Sequence, residues 1–131
     1  MPYEIVLNAR AKLVHSRAWG NLSDAELLEH RDRIQAHFEA GTLDAAWSHF
    51  VDFSAVSHVD VSTATVGLLA ANNPWPTAVR RALVAPQDIV FGLSRMYEMF
   101  SGAKGQNIRV FRTLDEARTW LQGEPRQSKA P

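Results

Sequence analysis

Side chains that could bind a partner or exchange protons gather in the segment from Val51 to Gly67, which reads VDFSAVSHVDVSTATVG. The candidates in this segment are two carboxylates and three hydroxyl residues: Asp52, Ser54, Asp60, Ser62 and Thr63. Carboxylates can act as general acids or bases, and polar side chains at strand ends and helix starts can bind a ligand or a partner. Because Asp and Ser also cap helices and organise turns, the segment fits a binding site, a structural cap, or both.

The five histidines are the other candidates for acid–base chemistry or metal binding: His15, His30, His37, His49 and His58. His30 and His37 lie seven residues apart on one predicted helix, about two turns, whereas a helical zinc site uses residues four apart. The other three are scattered, so we predict no metal site and expect histidines that are solvated or hydrogen-bonded in the core. One alternative remains, a small enzyme that uses Asp52, Asp60 and a histidine.

Neither a catalytic nucleophile nor a phosphate-binding loop has a recognisable motif in this sequence. No serine lies in a G-x-S-x-G elbow, and the glycines around Gly102 and Gly105 form neither G-x-G-x-x-G nor a P-loop. We therefore predict no catalytic residue and no cofactor, and the protein is expected not to be an enzyme.

Charge and composition exclude several classes of partner. Fourteen Lys plus Arg balance fourteen Asp plus Glu, so no long-range positive field attracts nucleic acid or anionic lipid. The absence of Cys removes disulfides and thiolate chemistry, and it suits a reducing cytoplasm. No stretch reaches the roughly 20 apolar residues that span a bilayer. We expect a cytoplasmic protein that binds neither nucleic acid nor membrane.

The polar candidates need a scaffold, and the hydrophobic pattern predicts one with alternating strands and helices. Capping boxes at Ser23/Glu26 and Thr113/Glu116 mark two helix starts. The predicted elements are a hairpin (3–7 and 12–19), helices at 24–40, 62–72, 88–100 and after 113, and strands at 47–53, 82–85 and 108–111. This order predicts a single α/β domain over residues 1–122, with a mostly parallel five-stranded sheet and four helices. Residues 123–131 have no apolar period, which indicates a flexible tail.

The third predicted helix carries a second candidate surface. One apolar face, with Ile89, Leu93, Met96 and Phe100, is expected to pack on the sheet. Phe91, Arg95 and Met99 lie away from that face and form an outer strip, which is either a partner or homodimer surface or simply covered by loops.

The run DFSAVSHVDVS is similar to the strand, loop and helix start of STAS domains, whose typical pattern is D-L-S-x-V-x-x-x-D-S-S-G. Asp52, Ser54, Val56, Asp60 and Ser62 match that pattern, while Val61 replaces the first serine of its S-S pair and Thr63 replaces its glycine. The later segments IVFGLSRMYEMF and IRVFRTLDEARTWL resemble the closing helix, strand and helix of the same superfamily, including its SpoIIAA-like branch.

This resemblance implies a non-catalytic regulatory or binding module of a bacterial cytoplasm, acting through a protein partner or a small ligand. In anti-sigma factor antagonists the serine that matches Ser62 is phosphorylated by a partner kinase, so the resemblance implies a kinase or an anti-sigma-like regulator as partner. Asp52, Ser54, Asp60, Ser62 and Thr63 are then the binding residues. A carrier of lipid or another hydrophobic ligand is a further alternative, and it requires an apolar pocket of several hundred cubic ångströms.

Overall fold

Five strands and four helices alternate along the chain in a computed structural model that describes residues 3 to 123. In chain order they are β1 (Tyr3–Asn8), β2 (Leu13–Ser23), α1 (Asp24–Glu39), β3 (Ser48–Asp60), α2 (Thr63–Ala71), β4 (Arg80–Val84), α3 (Asp88–Gly102), β5 (Asn107–Phe111) and α4 (Leu114–Leu121). The sheet order is β1-β2-β3-β4-β5, with β1 antiparallel to β2 and the other pairs parallel. The predicted fold class and order of elements are confirmed.

The predicted tail lies outside the described residues except for Gly123. This glycine is buried, its φ is 84°, and its N–H donates to the carbonyl of Trp120 at 3.2 Å. It therefore forms the end of α4, since a left-handed residue after a helix favours glycine.

Helices cover both faces of the sheet, and alternate residues of β3 show which helices cover each face. Val51 and Phe53 pack in a core with Val90 of α3, on the face that α1 and α2 also cover. Phe50 points the other way and packs with Ala117 of α4. Among the described residues, no helix is long and apolar enough to cross a membrane.

Two strands, β2 and β3, are longer than the sequence predicts. Their last residues form a two-stranded ribbon that extends past the part of β3 that pairs with β4. β2 continues past Trp19 to Ser23, and Gly20, with a φ of 69°, lies at a bulge inside the strand instead of ending it. The part of β3 from Ala55 to Asp60 pairs with this extension, whereas β4 pairs only with His49–Asp52. The prediction that β3 ends near Phe53 is wrong, because the strand continues through exposed residues such as Ser54, Ser57 and His58, which interrupt the apolar run on either side of the buried Val56.

A side chain on α3 supports the point where this ribbon leaves the sheet. The amide nitrogen of Gln87, at the start of α3, lies 3.0, 3.2 and 2.7 Å from the carbonyl oxygens of Phe53, Ser54 and Val56. β4 pairs only with His49–Asp52, so Gln87 bonds backbone acceptors that lie just beyond the residues of β3 that pair with β4.

The core-facing side of α3 also differs from its prediction. Val90, Ser94 and Ser101 are buried, while Ile89 is 69% and Phe100 is 44% exposed. Two small serines occupy positions where the hydrophobic pattern expects large apolar residues, and this shifts the apparent face. The inner face assigned from Ile89 and Phe100 is therefore wrong.

Candidate functional site

The corner where β3 leads into α2 places Ser62 at a helix start with an exposed side chain. Ser62 is the N-cap of α2, and its hydroxyl oxygen accepts the N–H of Thr65 at 3.1 Å. A serine in extended conformation suits this position, because its side chain bonds an amide that the helix itself leaves without a partner. This is the place predicted for Ser62. Its functional role stays a prediction.

Asp24, the first residue of α1, completes this corner. Its carboxylate accepts the backbone N–H of Ser62 at 2.9 Å and the hydroxyl of Ser62 at 3.1 Å. The hydrogen bond from that N–H holds the pKa of Asp24 below its ordinary value. Ser62 therefore joins the first turns of α1 and α2 and lies directly against a negative charge.

The other candidate residues between Val51 and Gly67 lie at two separate positions in the fold. Asp60 ends β3 and Thr63 begins α2, so both lie beside Ser62, and both are exposed. Asp52 and Ser54 lie earlier in β3, where the carboxylate of Asp52 accepts the N–H of Ser54 at 2.9 Å. We call Asp24, Asp60, Ser62 and Thr63 the α1–α2 corner.

The separation of the two aspartates disfavours the acid–base enzyme. Asp52 and Asp60 are eight residues apart in one extended strand, a distance of about 26 Å at 3.3 Å per residue. Asp52 also shares the α4 face with Phe50, while His49 points to the opposite face of the sheet. These groups cannot act on one bond. Among residues 3–123, no group of three metal-ligating side chains could hold an ion.

The predicted outer strip of α3 is not continuous. Met99 is 65% exposed, and the exposed Arg95 forms an ion pair with Glu98 at 3.1 Å. Phe91 is only partly exposed, because it packs against the core and the guanidinium of Arg112 lies 3.9 Å from its ring centre. Phe91 is therefore partly covered, which is the second of the two alternatives for this strip, and self-association through Met99 stays a prediction.

A second polar cluster lies between the sheet and the helices α1, α2 and α3, and the sequence predicted of it only that histidines could be hydrogen-bonded in the core. The hydroxyl of Ser16 on β2 is 2.7 Å from Nε2 of His30 and 2.9 Å from Nε2 of His49. His49 stacks on the indole of Trp75, with ring centres 4.4 Å apart. Burial, together with the positive charge of Arg81, lowers the pKa of His30 to about 4 and that of His49 well below its ordinary value. Both imidazoles are therefore neutral at neutral pH.

Arg81, on β4, is the charged member of this cluster, and it is 5% exposed. Its Nη2 donates to the hydroxyl of Tyr97 at 2.9 Å, and its guanidinium lies 5.4 Å from the ring centres of both Trp75 and Tyr97. The sequence signals of this cluster are weak, since His49 is one polar residue beside the apolar Phe50 and Val51, and Arg81 follows Arg80 at the start of β4. The elements that bring them together are distant in sequence.

The cluster forms one wall of a cavity of about 120 Å³ between the sheet and the helices α1, α2 and α3. The other walls are mainly apolar and include Ile34, Val66 and Leu83. Sites for drug-sized ligands occupy roughly 300 to 1,000 Å³. The cavity is thus smaller than the pocket that a lipid carrier requires.

Comparisons with known proteins find structural likeness and no sequence match. No family model matches the chain, and no curated protein matches it. A protein of the DUF3478 family with a SpoIIAA-like fold, from Shewanella loihica PV-4, has a TM-score of 0.60 at 15% identity, covering 91% of this chain and 93% of that one. The anti-sigma factor antagonist SpoIIAA in its unphosphorylated form has a TM-score of 0.59 at 18% identity, covering 93% and 99%. This chain therefore has the SpoIIAA-like fold.

Proposed function

We propose that this protein is a non-catalytic, cytoplasmic regulatory module that binds a protein partner through the α1–α2 corner. The observation that carries the proposal is the exposed residue Ser62, whose hydroxyl is held at a helix start against the carboxylate of Asp24. The SpoIIAA-like fold supports it, since one structure of that fold is an anti-sigma factor antagonist in its unphosphorylated form.

Phosphorylation of Ser62 by a kinase partner is the regulatory step in this proposal. A phosphate adds a charge of about −1.5 to −2, which a helix N-terminus accepts well. The carboxylate of Asp24, however, now bonds the same hydroxyl at 3.1 Å and would repel the phosphate. The link between the first turns of α1 and α2 would break, and the surface offered to the partner would change.

Substitutions at Ser62 separate a switch from a plain cap. We expect Ser62→Asp to keep the melting temperature within a few degrees of wild type, because Asp caps helices as well as Ser does. Partner capture from an extract of the source cells should be lost with Ser62→Asp. Ser62→Ala, which lacks the charge, should still capture the partner and lose about 1 kcal/mol of stability.

Two further variants make the test specific. Thr42→Asp adds the same charge to an exposed residue near the other end of α1, so it should capture the partner as wild type does. Asp24→Asn combined with Ser62→Asp removes the repulsion and should restore part of the capture. If Ser62→Asp and wild type recover the same partner in equal yield, Ser62 is only a cap and the regulatory proposal fails.

A further inference from the structure

The guanidinium of Arg81 is buried without a counter-charge. Among residues 3–123 it forms no ion pair, and its Nε and Nη1 have no hydrogen-bond partner. An arginine cannot lose its proton at any ordinary pH, and an unpaired buried charge is costly. The rings of Trp75 and Tyr97 offset only part of that cost through cation–π contacts.

The charges that line the cavity are all of one sign. The lining includes Arg81 and the partly exposed Arg31, and none of its described residues is an aspartate or a glutamate. His49 adds a ring nitrogen, Nδ1, that is buried and has no hydrogen-bond partner. A group that enters this space would meet a fixed positive charge and unused polar atoms on one wall.

The remaining walls suit a compact apolar body. Ile34, Val51, Val66 and Leu83 line them, and Trp75 supplies an aromatic surface next to the guanidinium. A cavity of about 150 Å³ lined by apolar residues holds a benzene ring in an engineered protein, and this cavity of about 120 Å³ is of similar size. Several lining residues, among them Leu69 and Pro74, are partly exposed, so the cavity is not sealed.

We propose that this cavity binds a small organic anion, in which one carboxylate pairs with Arg81 and a compact apolar body fills the space between the sheet and the helices. The ligand supplies the counter-charge that the chain lacks. Pairing between a guanidinium and a carboxylate gives charge-assisted hydrogen bonds, which strengthen where water is excluded. This ligand site is separate from the α1–α2 corner and does not depend on the regulatory proposal.

Benzoate is the probe for this site, and benzyl alcohol is its neutral counterpart of similar shape. We expect benzoate to raise the melting temperature of the wild type and to change its tryptophan fluorescence, and benzyl alcohol to bind about 10- to 100-fold more weakly. Inorganic phosphate should bind more weakly than benzoate, because it has no apolar body. Equal binding of benzoate and benzyl alcohol, or of benzoate and phosphate, would overturn the proposal.

Arg81→Met tests the role of the guanidinium, with Arg95→Met as the control that removes a charge from the exposed face of α3. Arg81→Met should weaken benzoate binding about 10- to 100-fold and melt at or above the wild-type temperature, since it removes an unpaired buried charge. Arg95→Met should bind benzoate as wild type does. Unchanged benzoate binding by Arg81→Met, or a melting temperature far below wild type, would show that Arg81 is a structural group and would refute the proposal.

Discussion

Replacement of Trp75 by alanine is expected to lower the free energy of unfolding by about 3 to 5 kcal/mol. The indole is 3% exposed, although it lies in the loop between α2 and β4. It stacks on His49, meets the ring of Phe38 edge-on at 5.2 Å, and lies beside the guanidinium of Arg81. Its removal would leave a hole where a helix, the sheet and the polar cluster meet.

Urea unfolding at pH 7 measures this effect. Trp19→Ala is the matched control, because Trp19 is partly exposed on β2 and packs beside Arg17. We expect that variant to lose less than half as much stability. If Trp75→Ala loses under about 1 kcal/mol, the loop packs more loosely than described and Trp75 does not support the cavity wall.

Acid is expected to destabilise the protein between pH 6.5 and pH 4, with His30 as a principal cause. The folded-state pKa of His30 is about 4, against 6.5 in its ordinary environment, because of burial and the charges of Arg81 and Arg33. Between these values the unfolded chain binds a proton that the folded chain does not, so stability falls as the pH falls. A shift of this size corresponds to about 3 kcal/mol when the window has been crossed.

Unfolding curves at pH 7 and pH 4 in wild type and His30→Gln measure the contribution of this residue. Glutamine can bond Ser16 but does not titrate, so His30→Gln should lose clearly less stability between the two pH values. His58→Gln changes an exposed histidine of β3 and should keep the wild-type dependence. An identical dependence in wild type and His30→Gln would place the acid sensitivity elsewhere.

Local patterns were enough to predict the order of elements and the location of Ser62. The capping boxes and the apolar strands each depend on neighbours within a few residues. The predicted ends of β2 and β3 were wrong because Gly20, which forms a bulge, and the exposed Ser54, Ser57 and His58 interrupt the apolar pattern, although Leu22 and Val56 beyond them are buried. The predicted inner face of α3 was wrong because two small polar residues, Ser94 and Ser101, are buried on the true inner face.

The parts of the candidate sites that sequence could not predict are those that join distant segments. The carboxylate of Asp24 accepts a hydrogen bond from Ser62, 38 residues away along the chain, and the local sequence around Ser62 does not predict this contact. His49 and Ser16 lie 33 residues apart, and only the pairing of β2 with β3 brings them together. Arg81 looks like an ordinary strand end until the fold buries it without a counter-charge.

The location of the partner is the central claim, and hydrogen–deuterium exchange of the chain, alone and bound to its captured partner, tests it most directly. Binding at the α1–α2 corner predicts slower exchange in residues 20–27 and 57–66, at the ends of β2 and β3 and the starts of α1 and α2. The amides of α4 should exchange at the same rate with and without partner. Slower exchange confined to α4 or β1, with the corner unchanged, would contradict the proposed binding surface.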